Sequence, residues 1–129
     1  MTTRNSFRAT APGLTALLAW IALPGFAAEP APAAFNNHCR TCHSLKEGDN
    51  RIGPSLHNIY GAKAGASNYA AYSQGLKTSG LTWDEATLDK FIENPDQVVT
   101  NNMKPFKGID DPAVRKQIVD FLKSQSKNP

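Results

Sequence analysis

The sequence predicts an all-α domain of short helices and loops, and three observations carry that expectation. None of the 129 residues falls in a segment that alternates apolar and polar side chains as a half-buried strand does. Two stretches, 82–92 and 111–122, place apolar residues at helical spacing behind recognisable N-terminal caps. The only two cysteines stand together in Cys39-Arg40-Thr41-Cys42-His43, where i and i+3 share one face of a helix and an imidazole follows at once. There is no internal repeat, and the length suits one domain.

The chain opens on a segment outside that domain. Arg4 and Arg8 form a positive n-region, Leu14 to Leu23 an apolar run, and Pro24-Gly25 breaks it before small residues. This is the pattern of a secretory signal peptide, and the run is too short to span a bilayer. Cleavage after Ala27 puts Gly25 and Ala27 at the small-residue positions. The expected division is therefore a leader over 1–27, a Pro/Ala-rich tail over 28–32 and one domain over 33–129, within a residue or two. The competing reading is an uncleaved anchor. A cleaved leader places the mature chain in the periplasm with no stable membrane insertion. It also removes charge: Arg4 and Arg8 are two of the 14 basic residues, while all 11 acidic ones lie beyond the leader, so the mature polypeptide is near +1. With no basic run and no aromatic-interleaved patch, nucleic acid is not an expected partner.

The elements follow in order. A first helix begins near Pro32, a residue tolerated at the first helical position, and runs through Phe35 into the cysteine motif. From Ser44 to Asn68 glycine, proline and asparagine recur without sustained periodicity, which reads as loop. A short helix is expected around Ala70 to Lys77. Thr82-Trp83-Asp84-Glu85 fits a capping box, with Leu88, Phe91 and Ile92 at helical spacing after it, and Asn94-Pro95 ends that helix. Asp96 to Val99 adds one turn before a loop through Ile109. Asp111-Pro112 supplies N-cap and N1 chemistry for a final helix whose Val114, Ile118, Phe121 and Leu122 share an apolar face.

The cysteine motif reads as covalent attachment of one c-type haem, through Cys39 and Cys42, with His43 within reach of iron. A thioredoxin-like dithiol would sit in a βαβ pattern, and none surrounds it. A zinc site would need more ligands from His38, His43 and His57, and adjacent Cys42 and His43 converge poorly on one small tetrahedral ion. A mature chain of about 100 residues also buries a modest core, which a large apolar cofactor would complete.

These residues, in this order, resemble a small soluble class I cytochrome c over Phe35 to Lys123. Beyond the haem motif the matching pieces are Gly53-Pro54-Ser55-Leu56-His57, Tyr60-Gly61, Gly65, Gly80-Leu81-Thr82-Trp83, Asn94-Pro95, Met103 with Phe106 and Gly108, and Phe121-Leu122-Lys123. The resemblance implies the class I fold, short helices and loops wrapped around one haem c. It implies His43 and Met103 as axial ligands, with the Pro54 carbonyl accepting from the His43 ring. Trp83 and Tyr72 would donate to haem propionates. Met103 is the only methionine after the initiator and lies in a polar run, 100–104, where a core methionine would be out of place. Its soft thioether favours ferrous iron and raises the potential. His57 is the alternative ligand, structural in the family, and His38 is expected at the haem rim.

The sequence departs from the family pattern at several positions. Ala62 stands where an arginine commonly faces a propionate, with Lys63 next. Phe91 replaces a tyrosine that often bonds the methionine sulfur, and Leu76 a polar residue near the inner propionate. One extra residue separates Met103 from Phe106. Ala31 replaces a glycine, which works against the usual close crossing of the first and last helices. The resulting expectation is a monomeric one-electron carrier and not an enzyme. Its partners would be a quinol–cytochrome c oxidoreductase or periplasmic dehydrogenase, and a terminal oxidase or reaction centre. The second reading is a haem enzyme or gas-binding protein with an open axial site, peroxidase-like in its simplest form.

Overall fold

Five helices form among the residues that the computed structural model describes, 31–102 and 105–127: α1 (Ala33–His38), α2 (Gln74–Thr78), α3 (Glu85–Glu93), α4 (Pro95–Val98) and α5 (Pro112–Ser124). The expected leader 1–27 and Met103 lie outside the described residues. Strand pairing among the described residues is limited to one isolated antiparallel bridge, Lys63 with Thr82.

The longest helix starts as its sequence dictates. Asp111 Oδ1 accepts from the Ala113 amide at 2.8 Å and the Val114 amide at 3.4 Å, and Pro112 fills a first-turn position whose amide has no helical partner. Helix α3 starts two residues later than the expected capping box. Asp84 is the N-cap, accepting from the Thr87 amide at 2.8 Å, and Glu85 becomes the first helical residue. Thr82 is held instead by its bridge to Lys63, so no reciprocal box forms. The amides of Thr87 and Ala86 hold the Asp84 carboxyl below its ordinary range. Helix α2 is shorter than expected at its start, because Ser73 caps it by accepting from the Leu76 amide at 3.2 Å.

The core is divided in two. One cluster gathers Leu76, Trp83, Leu88, Phe91, Val99 and Val119; the other gathers Ala34, Phe35, Ile109, Ile118, Phe121 and Leu122. Helix α5 contributes to both, since 118, 121 and 122 face one side and 119 the other. It packs against α1 and α3. The Phe35 and Phe121 rings lie 5.0 Å apart, so the first and last helices do meet despite Ala31, which packs against the same cluster. Ile59 and Ile92 touch both clusters. Between the clusters the chain leaves an apolar cavity.

One buried charge braces this arrangement. Arg115 is 6% exposed; its Nε donates to Asp89 of α3 at 2.8 Å, and its Nη1 donates to the Ile109 and Asp110 carbonyls at 2.9 and 2.8 Å. Glu93 adds a second carboxylate at 3.5 Å. The Asp89 hydrogen bond, then the surrounding carboxylates, raise the Arg115 pKa further and keep it charged. A buried guanidinium is tolerable only with such partners.

Candidate haem site

The cavity between the two clusters is walled by Leu76, Trp83, Leu88 and Phe91 on one side and by Leu56, Phe106, Ile118 and Leu122 on the other. Cys39, Cys42, His43 and Pro54 also line it. An apolar gap lined by two thiols and an imidazole fits a covalently tethered haem.

Helix α1 stops at His38, just before the motif it was expected to run into, yet the helical pitch survives. The Phe35 carbonyl accepts from both Cys39 and Arg40 at 2.9 and 3.2 Å, which ends α1. The Cys39 carbonyl then accepts from Cys42 at 3.1 Å and His43 at 2.9 Å, one more closed turn. Cys39 and Cys42 therefore line the same cavity as half-buried thiols that form no disulfide.

His43 is fixed through one ring nitrogen. Its Nδ1 stands 2.7 Å from the Pro54 carbonyl, which can only accept; Nδ1 therefore carries the proton, and Nε2 is the nitrogen with a lone pair that could serve as a ligand. Gly53 makes room for this ring. A Cβ at 53 would lie 2.8 Å from Nδ1 and 2.9 Å from Nε2. The Gly53 amide donates to the Cys42 carbonyl at 2.8 Å and the Leu56 amide to the Ser44 carbonyl at 2.8 Å, so the 53–56 segment is laced directly to the haem motif.

The remaining expected residues distribute unevenly. Trp83 is 6% exposed, lines the cavity and meets Phe91 edge-on at 4.9 Å between centroids. Tyr72 also lines it, with its hydroxyl 2.7 Å from Ser67 Oγ. Leu76 and Phe91 lie in the wall as apolar residues. His38 is at the exposed edge, as expected. His57 does not line the cavity; its Nε2 is 2.9 Å from Asn58 Nδ2. Met103 lies outside the described residues, but its neighbours Asn102, Pro105 and Phe106 all line the cavity.

Two groups at the site escaped sequence reading. Ile52, 67% exposed, is the large apolar residue left in solvent among those described, and it sits at the cavity rim. The Tyr69 hydroxyl donates to its carbonyl. Asn102 is 3% exposed, although the run Thr100-Asn101-Asn102 reads as solvated loop. Nothing local marks either residue; both depend on what the fold brings beside them.

Comparison with known proteins agrees with this geometry. A family model described as cytochrome c matches residues 28–126. The chain is 42% identical over 94 residues to cytochrome c2 iso-2 of Magnetospirillum molischianum, covering 73% of this chain and 96% of that one. It is 39% identical over 115 residues to cytochrome c2 of Rhodomicrobium vannielii, covering 85% and 90%. Among solved structures it is similar to cytochrome cH from Methylobacterium extorquens, with a TM-score of 0.65 and 40% identity over 70% of this chain and 91% of that one. These likenesses support electron carriage over the open-site haem enzyme considered from the sequence. The chain belongs to the cytochrome c family as a class I member: an electron-transfer protein that exchanges electrons with redox partners, not an enzyme, carrying one haem c bound covalently through Cys39 and Cys42.

Proposed function

We propose that this cytochrome is a monomeric periplasmic carrier of single electrons, exported by its leader, with iron held between His43 and Met103. The observation that carries the ligand assignment is the His43 ring, whose 2.7 Å contact with the Pro54 carbonyl sets the tautomer a metal requires. The haem, when attached, supplies the one-electron Fe(II)/Fe(III) couple. The chain holds that group rigidly, excludes water from its faces and leaves one edge open. Leu76, Phe91 and Ile118 surround the site with apolar atoms, which disfavours the additional charge of the ferric state and raises the potential.

Trp83, inside the cavity wall, is the proposed indole donor to a propionate. Tyr72 can do the same with its hydroxyl if Ser67 is the donor of their shared hydrogen bond. Ile52 and His38 at the rim mark the edge through which electrons pass. The partners are a donor of the quinol–cytochrome c oxidoreductase or dehydrogenase type and an acceptor of the oxidase or reaction-centre type.

The test is ligation. The ferric protein at neutral pH should show the long-wavelength sulfur-to-iron charge-transfer band, and Met103→Ala should abolish it and let the ferrous form bind carbon monoxide. A wild type without the band, or one that binds carbon monoxide as readily as the variant, defeats the assignment.

A further inference from the structure

The lining of the cavity contains a buried amide that holding a haem does not by itself require. Asn102, 3% exposed, lines the cavity immediately before Met103. Its Nδ2 donates a short hydrogen bond to the carboxylate of Asp96, on α4, and lies 3.4 Å from the Val99 carbonyl. The amide thus ties the chain entering Met103 back onto the helix that precedes it.

One close contact and one backbone bend shape the same stretch. The Thr100 carbonyl packs so closely on α2 that a Cβ at Gly75 would overlap it. Asn101 takes φ 56°, a left-handed conformation that asparagine tolerates better than most residues, and so bends the chain between that contact and the buried Asn102. Residues 100–102 offer no apolar side chain to the core, so their anchor has to be polar. A buried amide is costly unless bonded, and a carboxylate is among its strongest acceptors.

The geometry points to Asn102 as a positioning residue. Through its bond to Asp96 it holds the approach to Met103 in the conformation that lets the thioether reach iron, and so sets how often another ligand can enter. This rests on the ligation by Met103 proposed above; Asn102 acts through that residue. A competing ligand that binds only when the thioether has left has an apparent affinity proportional to the open fraction. Weakening the Asn102–Asp96 bond should therefore tighten the binding of an added ligand.

The experiment titrates ferric holoprotein at pH 7 with free imidazole and follows loss of the sulfur-to-iron band. The variants are Asn102→Ala, Asp96→Asn and the exchanged pair Asp96→Asn with Asn102→Asp, with Asp120→Asn as a control for losing an exposed carboxylate elsewhere. In Asn102→Ala the apparent Kd should fall tenfold or more, equivalent to about 1.4 kcal/mol. Asp96→Asn should give a smaller fall, the exchanged pair should lie nearer wild type than Asn102→Ala, and Asp120→Asn should match wild type. Denaturant unfolding is measured in parallel: lower stability with an unmoved imidazole Kd would mean a merely structural role and overturn the proposal. Should Asn102→Ala yield no holoprotein, Asp96→Asn decides, and a Kd within about twofold of wild type, near 0.4 kcal/mol, overturns it. A wild type that lacks the band removes the Met103 ligation and the positioning role together. A band that is present with unmoved affinities removes the positioning role alone.

Discussion

Two stretches that line the haem cavity, 42–56 and 99–109, are held by different means. Around His43 the contacts join one loop stretch to itself: Cys42 to Gly53, Ser44 to Leu56, His43 to Pro54, every one a bond to main-chain atoms. The 99–109 segment is instead pinned by four different helices, some of them near it in sequence. Thr100 lies against Gly75 of α2, Asn102 is held by Asp96, the Ile109 amide donates to the Ile92 carbonyl at 2.9 Å, and Arg115 takes the Ile109 and Asp110 carbonyls from α5. A stretch closed locally needs little from the rest of the fold. One closed by α2, α3, α4 and α5 inherits the stability of all of them. The first stretch should therefore fail through its own geometry and the second through global stability.

Gly108→Ala gives the largest expected effect. Gly108 has φ +104°, where L residues are strained, and a Cβ there would overlap the Glu93 carbonyl, which is backbone at the end of α3 and cannot swing aside. Strain and collision together should cost about 3 kcal/mol or more, read as a lower denaturant midpoint. The signals of the His43 side should persist until the whole protein unfolds. A variant that unfolds like wild type would show that the stretch around Gly108 is not coupled to α3.

Gly53→Ala makes the opposite test. The added Cβ meets the His43 ring, a side chain, so the global cost should be smaller, about 2 kcal/mol. The ring must turn, however, and its bond to the Pro54 carbonyl must lengthen. The axial spectrum should change strongly, or holoprotein yield should fall, at a denaturant midpoint that moves less than in Gly108→Ala. Reversal of that order would collapse the distinction between the two stretches.

The same distinction explains what the sequence revealed. The stretch around His43 was legible because its residues lie close together in the chain, and Cys39, Cys42, His43 and Gly53-Pro54 could be read as a unit. Helix α5 was legible because Asp111-Pro112 and a one-sided apolar pattern are local signals. The buried state of Asn102 was not: Asp96 lies only six residues back, but no local pattern in Thr100-Asn101-Asn102 marks which side chain turns inward once α4 forms and Thr100 docks against Gly75 of α2. The start of α3 was misplaced for a related reason: Thr82 had the right side chain for a cap, but its pairing with Lys63 removed it from the helix.

The smallest expected effect concerns the segment paired with 81–83, which belongs to neither of those two stretches. Residues 61–64 are zipped to 81–83: the Gly61 amide donates to the Trp83 carbonyl, the Trp83 amide to the Ala62 carbonyl and the Ala64 amide to the Leu81 carbonyl, each at 2.9 Å. Along this extended stretch Ala64 is buried, Ala62 half-buried and Lys63 exposed, the alternation of a strand. Lys63 therefore projects away from the side that Ala62 shares with the core and does not replace the arginine common in related proteins. If Trp83 binds a propionate as proposed, Ala62→Arg adds a positive charge beside that group, which disfavours the ferric state and raises the midpoint. Partial solvation limits the gain to tens of millivolts, since about 59 mV already corresponds to about 1.4 kcal/mol for a one-electron couple. Lys63→Gln should leave the midpoint within about 10 mV of wild type, roughly 0.2 kcal/mol. A redox titration in which Lys63→Gln lowers the midpoint while Ala62→Arg leaves it unchanged would reverse the assignment of sides and make Lys63 the charge that faces the haem.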